Sequence, residues 1–256
     1  MTLSQLVKWA KNKSRFQTLD DYAFFCEEYL SFIFDGLQAV IVSQNENHYR
    51  FFQYREDGNF NVTRPINSNL MITIEDFHLA KQDFNYALQH IRDIKEDIDL
   101  RRLINQFIYT CQQMIGAALD ALPAGESNKA RKLNGDLFER YIRMILQEIG
   151  VSVHDGVVSV PVFVNGEELF KMSYQHDLII EENGEVRAIG SVKTSSKDRI
   201  DKILTGHFKG YTIKLNPLDG VYYCDLRPNM LTDDILASQI RSLDALLTED
   251  IWRLIE

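Results

Sequence analysis

The chain has 256 residues, of which 45% are hydrophobic and 25% charged, a composition typical of a globular protein with one large domain or a core domain plus a helical extension. Its net charge of −9 argues against indiscriminate nucleic-acid binding but is compatible with a local basic face. No apolar run approaches the roughly 20 residues that span a bilayer, and the first residues lack a signal-peptide pattern, so we expect a cytoplasmic protein without membrane contact. Three scattered cysteines without CxxC spacing exclude a disulfide scaffold or a zinc cluster and are expected to be reduced and partly buried: Cys26, Cys111 and Cys224.

Two helices are predicted at the start of the chain. The first covers residues 3–11, and Thr18 begins the second. In the second helix, large apolar side chains recur at helical spacing, which favours a core stripe over a cofactor site. The stripe consists of Phe24, Phe25, Tyr29, Phe32 and Ile33.

A boundary is predicted near the middle of the chain. Short strands at residues 40–42 and 49–54 and a proline-containing loop precede a long helical region, which runs from Ile74 to Leu122 with a break near residues 97–99. Pro-Ala-Gly ends this region. We therefore predict two parts: a mainly helical N-terminal region, residues 1–123, and a core domain, residues 124–256.

The core domain begins with a clearly delimited helix. Ser127 or Asn128 can cap its start and Gly150 can close it. Glu139 lies beside its apolar stripe, which leaves two interpretations: a solvated residue paired with Arg143 one turn later, or a residue directed at a functional site. The stripe itself is formed by Leu133, Leu137, Phe138, Tyr141, Ile142, Ile145 and Ile149.

Strands dominate the residues that follow. Apolar runs at 157–163 and 169–174 flank one Asn-Gly pair, and the runs at 177–182 and 185–193 flank a second. Asn-Gly between β-rich runs is a strong hairpin signal. We expect a meander of at least three strands, a short helix from Asp198, a strand at 220–226 parallel to the central strand, and a final helix at 231–254 capped by Thr232. This order predicts an α/β fold with a mixed central sheet flanked by helices.

The second hairpin brings charged residues together. Residues equidistant from Asn183-Gly184 face each other, which places Asp177 opposite the Ser191–Lys193 end. A carboxylate can hold Mg²⁺, while an ammonium group can orient or deprotonate water and offset phosphorane charge. An aspartate and a lysine at one end of a strand pair are therefore suited to metal-assisted phosphodiester hydrolysis.

At these residues the sequence resembles the PD-(D/E)XK nucleases. Asp177, the hairpin and Ser191-Val192-Lys193 match the family signature in the variant that has serine two positions before the lysine. Lys193-Thr-Ser-Ser-Lys197-Asp198-Arg199 is similar to the recognition element of type II restriction endonucleases that cut CCGG, CCNGG or CCWGG sites. The resemblance covers about residues 128–225 and implies a restriction-endonuclease-like core.

The resemblance also implies a site. Its catalytic residues are Glu139, Asp177 and Lys193, and its Mg²⁺ is held by Asp177, Glu139 and the backbone carbonyl of Val192. Ser191 has no charge, so Glu139 is the replacement for the carboxylate that usually stands there. The resemblance to the CCGG-cutting enzymes also implies a further glutamate, about a dozen residues after the lysine. Here Thr205, Gly206 and His207 occupy that neighbourhood, so either Asp198 or Asp201 substitutes for it or a second metal is bound poorly.

A basic surface is expected next to this site. Between Val186 and Leu215, seven lysines and arginines meet only two aspartates. Lys197 and Arg199 can donate to guanine while Asp198 accepts from cytosine; alternatively, both cations contact phosphates and Asp198 caps a helix. The expected DNA-binding residues are Ser191, Thr194, Ser195, Ser196, Lys197, Asp198 and Arg199, with Lys129, Arg131 and Lys132 at a helix start.

The sequence therefore predicts a Mg²⁺-dependent type II restriction endonuclease that cuts double-stranded DNA at a short palindrome with C/G content. Palindromic cutting implies a homodimer, in which the N-terminal region supplies dimer contacts, DNA clamping or both. Three alternatives remain open: a repair or structure-specific endonuclease of the same fold, a non-cleaving DNA-binding module, and a helical interaction protein with an incidental hairpin.

Overall fold

Helices and a small sheet form the first half of the chain. A computed structural model describes residues 1–43, 48–56, 59–164, 167–194, 210–216, 220–226 and 240–256. The helices are α1 (Leu3–Ala10), α2 (Leu19–Gly36), α3 (Ile74–Gln89) and α4 (Ile98–Asp120), with a short 3-10 turn at Lys13–Arg15. The strands are β1 (Leu37–Val42), β2 (Tyr49–Glu56), β3 (Asn59–Val62) and β4 (Ile66–Asn67), in which β2 pairs antiparallel with the other three.

Local sequence signals explain where these helices begin and end. Thr2 and Gln5 form a capping box at the start of α1. Asp97 accepts from the backbone N–H groups of Asp99 and Leu100 and so caps α4. The predicted helix break is thereby confirmed, and its extent is residues 90–97. The prediction of a loop around Pro65 was wrong in part, because β3 before the proline and β4 after it both pair with β2.

The second half combines one long helix with a mixed sheet. After a short 3-10 turn at Ala124–Glu126, α5 (Ser127–Glu148) precedes a six-stranded sheet in the order β10-β9-β8-β7-β6-β5. The helical segment that ends the chain comprises Leu243–Ala245, a π turn at Leu246–Asp250 and Ile251–Ile255. The strands are β5 (Val153–Val164), β6 (Glu167–Glu182), β7 (Glu185–Lys193), β8 (Gly210–Asn216), β9 (Gly220–Leu226) and β10 (Ile240–Ser242).

The hairpin between β6 and β7 has the predicted turn. Asn183 and Gly184 both have positive φ angles, of 55° and 78°, as a type I′ hairpin turn requires. Glu182 lies opposite Glu185, and the ladder continues to the pair Leu178–Gly190. The ladder shifts by one residue between Ile180 and Glu181, so Asp177 lies across from Ser191 and not from Gly190, the residue equidistant from the turn. The predicted placement of Asp177 near the Ser191–Lys193 end is thus confirmed, but the turn alone does not give the exact partner.

One buried core joins the two halves. It contains side chains of α1 to α5, of β5 to β7 and of the C-terminal helical segment. All seven predicted stripe residues of α5 are buried, as are Phe25, Tyr29 and Ile33 of α2, whereas Phe24 is exposed. Cys26 and Cys111 are buried and free, as predicted. No helix within the described residues is long and apolar enough to cross a membrane.

A polar cluster fastens the end of the chain to α4. The carboxylate of Asp244 is almost fully buried. It accepts from the Arg101 Nε at 2.6 Å and from the Asn105 side-chain amide, while the Asp244 backbone N–H donates to Asn105. Arg101 also pairs with Glu249 at 3.0 Å. These contacts bridge residues that are about 140 positions apart in sequence.

Three predicted features of the core domain were wrong. The strand parallel to β7 is β8, which was not among the predicted strands, and β9 runs antiparallel to β8. Within the predicted final helix, Ile240–Ser242 is instead a strand that pairs with β9, and the helical segment after it begins at Leu243. Neither Ser127 nor Asn128 caps α5, since Ser127 is its first helical residue. Gly150 closes α5 with a φ of 88°, as expected. Residues 198–204, expected to be helical, and Thr232 lie outside the described residues.

Candidate functional site

The candidate site begins at an irregularity in β6. His154 pairs with Ile179 and Gly156 pairs with His176, which leaves Asp177 and Leu178 together opposite the single residue Asp155. This arrangement is a β-bulge, a feature that changes the direction of a side chain and is common beside active sites. The bulge lies where the β6–β7 ladder ends, because Leu178–Gly190 is the last pair of the two strands.

The carboxylate of Asp177 is held by β7. Its Oδ2 accepts hydrogen bonds from the Ser191 hydroxyl at 2.8 Å and from the Val192 backbone N–H at 2.9 Å. Val192 and Lys193 then pair in parallel with Ile213 and Lys214 of β8. Asp177 is half-buried, so its charged form loses part of its hydration, and the two donors compensate for that loss. The side chain is thereby fixed in the fork where β6 and β7 part.

A second group fixes the backbone at the bulge. Arg143 of α5 donates from Nη1 to the Asp177 carbonyl oxygen at 3.0 Å and pairs with the Asp155 carboxylate at 3.1 Å. Arg143 is largely buried, with 18% of its side chain exposed. The guanidinium therefore contacts both strands of the bulge and ties them to α5.

Glu139 lies one helical turn before Arg143. Gln147 of α5 donates to the Val153 carbonyl at 3.0 Å, and Val153 pairs with Ile180. Gln147 of α5 therefore lies over the part of the sheet that contains Ile180, and Arg143, one turn earlier in the helix, lies over the part that contains Asp177. One further turn, of about 5 Å, brings Glu139 to the level of the Ser191–Lys193 end. Glu139 shares a helix face with Arg143 and is half-buried. Its two alternative roles therefore stay open.

The other predicted residues are described to different extents. The backbone of Lys193 ends β7, beside Asp177, and half-buried Thr194 follows it. The Lys193 side chain and residues 195–209, including Ser195, Ser196, Lys197, Asp198 and Arg199, lie outside the described residues. Lys129, Arg131 and Lys132 are exposed in the first turns of α5, where Lys129 pairs with Glu126 at 3.1 Å. Their predicted roles remain predictions.

His176 precedes Asp177 on β6. Burial lowers the pKa of His176 below its ordinary value, and the nearby Asp177 charge offsets part of that effect. A half-buried imidazole with a lowered pKa is mainly neutral near pH 7.

Comparison with known proteins supports the architecture. No protein-family model matches the chain, and no curated protein matches its sequence. Among solved structures, the chain is similar to the type IIP restriction endonuclease Kpn2I, with a TM-score of 0.54 over 79% of this chain and 67% of that one. The chain has a restriction-endonuclease-like fold. The identity between the two sequences is 16%, so the likeness concerns the fold alone.

The donors at the fork suit a hard divalent cation. Mg²⁺ is commonly bound through one or two carboxylates together with waters and substrate phosphates. Asp177 accepts two hydrogen bonds at Oδ2, and an ionised carboxylate has about four acceptor sites. The described residues contain no group of three or more His, Cys, Asp or Glu side chains that could hold a metal ion. A site with one or two carboxylates, completed by waters, is a ligand set that fits Mg²⁺.

Removing the Ser191 hydroxyl tests how far it fixes Asp177. For the DNA cleavage that the sequence predicts, Ser191→Ala is expected to lower kcat about tenfold, because one of two donors to the carboxylate is lost while the Val192 N–H remains. Ser191→Thr keeps the hydroxyl and is the matched control, with a smaller loss expected. Single-turnover cleavage kinetics measure both. Equal rates for Ser191→Ala and the wild type would contradict a positioning role for this hydroxyl.

Sequence reasoning missed Arg143 and Asp155 as parts of the site. The sequence indicated Arg143 only as a possible helical partner of Glu139, and it gave no signal for Asp155. The i+4 spacing of Glu139 and Arg143 did indicate a shared helix face. The contact with the Asp177 backbone depends on the bulge, for which the sequence carries no local signal.

Proposed function

We propose that the protein is a type II restriction endonuclease that hydrolyses both strands of DNA at a short palindromic site, with Mg²⁺ as cofactor. The observation that carries the proposal is the carboxylate of Asp177, fixed at a β-bulge by Ser191 and Val192, at the strand end that carries Lys193. The restriction-endonuclease-like fold supports the same assignment. Fold alone does not determine function, so the assignment depends on this site.

In the proposed mechanism, water attacks phosphorus in line with the leaving group. The P–O bond to the 3′ oxygen breaks, which leaves a 5′-phosphate and a 3′-hydroxyl. Lys193 orients the attacking water or takes its proton and offsets charge on the phosphorane. Ser191 and Val192 keep the Asp177 carboxylate in place, and Arg143 keeps the bulge in place. The expected resemblance to other metal-dependent nucleases makes Glu139 the second acidic residue.

Asp177, Glu139 and the backbone carbonyl of Val192 would hold Mg²⁺. When bound, the ion would polarise the scissile phosphate and stabilise negative charge in the transition state. The donor set offers few protein ligands, so waters and the DNA phosphate would supply the other ligands.

Recognition of DNA is assigned to the segment after β7. In this proposal Lys197, Asp198 and Arg199 read a C/G-containing sequence, and Thr194, Ser195 and Ser196 contact the backbone. Lys129, Arg131 and Lys132 add phosphate contacts at the start of α5. A palindromic site requires two copies of the active site, so the acting form is a homodimer. The predicted region of residues 1–123 would then support dimerisation or DNA clamping.

A non-cleaving DNA-binding module is the second candidate. It is favoured by Ser191 in place of a carboxylate and by the small number of acidic ligands among the described residues. Such a module would bind DNA without Mg²⁺, and Lys193→Ala would cost it only one phosphate contact. A repair endonuclease of the same fold would instead cut at damaged or branched sites.

Digestion of plasmid DNA distinguishes these functions. Purified protein with Mg²⁺ is expected to give discrete fragments on a gel. Chelation by EDTA and the Asp177→Ala variant are each expected to prevent cleavage. Binding without cleavage on several unmethylated DNA sources would favour the non-cleaving module. Cleavage that survives both controls would refute the proposed site.

A further inference from the structure

The N-terminal end of the chain is basic. Its first 19 residues contain four lysines and arginines and no aspartate or glutamate, although the whole chain has a net charge of −9. The four cations lie between the middle of α1 and the end of the 3-10 turn that follows it. We call this segment, residues 8–16, the basic turn; its cations are Lys8, Lys11, Lys13 and Arg15.

Contacts with α5 fix the position of the basic turn. Arg140 of α5 donates from Nη1 to the carbonyl oxygens of Lys13 and Phe16, at 2.8 and 3.2 Å. The Lys13 ammonium pairs with the carboxylate of Asp136, one turn earlier in the same helix. Phe16 itself is fully buried. The basic turn is therefore held against α5 and forms one surface with it.

This surface continues to the start of α5. Lys11 of the basic turn and Lys129 of α5 both pair with the Glu126 Oε2, at 3.5 and 3.1 Å, so the two ammonium groups are neighbours. Lys132 follows Lys129 by one helical turn and is exposed. Residues three apart lie next to each other on a helix surface. Lys129 and Lys132 thus extend the row of cations that begins in the basic turn.

The charge of this surface is not neutralised by its own acidic residues. Its six cations meet two carboxylates, those of Glu126 and Asp136, and each of these already pairs with lysine. The Arg15 guanidinium lies over the Trp9 ring, 5.0 Å from the ring centroid, which reduces the entropy that Arg15 loses on binding an anion. Three exposed cations form no ion pair within the described residues: Lys8, Arg15 and Lys132. A net positive surface on an acidic chain is suited to a polyanion.

The same surface lies beside the candidate site. Asp136, which pairs with Lys13, is one helical turn before Glu139, and Lys132 is about 10 Å before Glu139 along the helix axis. Lys132, Glu139 and Arg143 are spaced by seven and four residues and so share one face of α5. Phosphates of one DNA strand rise by about 3.4 Å each. A duplex whose scissile phosphate lies at the candidate site therefore has further phosphates within reach of the basic turn.

We propose that the basic turn, together with Lys129 and Lys132, binds the sugar–phosphate backbone of the DNA beside the scissile phosphate. The contact is electrostatic and independent of base sequence, and it fixes the position of the duplex over the site. It assigns DNA contact to one defined segment of the region of residues 1–123. The inference rests on the proposed function only in taking double-stranded DNA as the ligand.

The salt dependence of DNA binding tests this contact. A short fluorescent DNA duplex is titrated with the whole protein at several salt concentrations, without divalent cations, so that binding is measured and cleavage is not. The double variant Lys8→Gln with Arg15→Gln is expected to reduce the slope of log K against log salt by about 2 and to raise Kd about tenfold at low salt, because each lost phosphate contact lowers the slope by about 0.9.

Two control variants make the test specific. Lys95→Gln with Arg102→Gln changes the net charge equally, at two other exposed cations, and should leave the slope unchanged. Lys8→Arg with Arg15→Lys keeps both charges and should retain the slope of the wild type, which a purely structural role of these side chains does not predict. Thermal unfolding confirms that all variants are folded.

The outcomes separate this contact from the proposed function. An unchanged slope for Lys8→Gln with Arg15→Gln, or a wild type that does not bind the duplex at low salt, would overturn the contact. Weaker binding to phosphatidylserine vesicles with unchanged DNA binding would also overturn it, in favour of a membrane surface. A reduced slope in a protein that never cleaves DNA would support the contact and refute the endonuclease. Specific cleavage with an unchanged slope would do the reverse.

Discussion

Asp177→Asn is expected to abolish Mg²⁺-dependent DNA cleavage, with a fall in rate of at least about 1,000-fold, while DNA binding changes little. The asparagine keeps the size of the side chain and can still accept from Ser191 and Val192. It removes the negative charge that, in the proposed mechanism, would hold the cation, and loss of metal-ion catalysis costs several kcal/mol of transition-state stabilisation. Single-turnover cleavage and gel-shift titration without divalent cations measure the two effects separately.

Asp155→Asn is the matched control for this substitution. Asp155 lies across the same bulge and pairs with Arg143, but its side chain is mainly exposed. Its loss is expected to slow cleavage less than about tenfold, because an exposed ion pair contributes at most about 1 kcal/mol. The assignment would be refuted if Asp155→Asn were inactive and Asp177→Asn active. Thermal unfolding of both variants excludes a folding defect as the cause.

Among the substitutions named in this article, Arg101→Met is expected to lower the free energy of unfolding most. The substitution leaves the buried carboxylate of Asp244 without its cation, and only Asn105 remains as a donor among the contacts described above. Breaking a buried ion pair by removing one partner costs about 3 kcal/mol, which lowers the Tm of a chain of this size by roughly 6–12 °C. Calorimetry or thermal unfolding followed by circular dichroism measures the shift.

Two further variants make this prediction specific. Arg102→Met alters the next residue of α4, whose pair with Asp99 is exposed, and should change the free energy of unfolding by less than about 0.5 kcal/mol. The double variant Arg101→Met with Asp244→Asn removes the buried charge and should recover part of the loss. A Tm of Arg101→Met equal to that of Arg102→Met would contradict the role assigned to the buried pair.

The elements that the sequence predicts correctly carry strong local signals. Asn183-Gly184 allows the positive φ angles of a type I′ turn, and that turn sets the register of the first pairs, Glu182–Glu185 and Glu181–Val186. The apolar stripe of α5 and its closing glycine likewise follow from local periodicity and backbone freedom. The approximate placement of Asp177 near the end of β7 was therefore predictable from the turn, whereas the pairing with Ser191 depends on a shift of one residue between Ile180 and Glu181 that the sequence did not predict.

The features that the sequence did not predict depend on distant contacts. The bulge at Asp177 comes from pairing with β5, which is more than 20 residues away along the chain. β8 exists because it pairs in parallel with β7, and its alternating residues were interpreted only as part of a basic surface. Ile240–Ser242 lies in a stretch with helical periodicity, yet pairing with β9 prevails there. Tertiary context commonly overrides local preference at strand edges in this way.

The most direct test of the proposed function is to sequence the ends of the fragments that the wild-type protein makes from plasmids of different sequence in Mg²⁺. A type II restriction endonuclease with this site should leave ends that all carry a 5′-phosphate and lie at a fixed position within one short palindrome of C/G content. These ends should disappear with Asp177→Asn. Ends scattered over unrelated sequences would contradict site-specific recognition and favour a repair or structure-specific nuclease, and plasmids that stay intact would contradict nuclease activity itself.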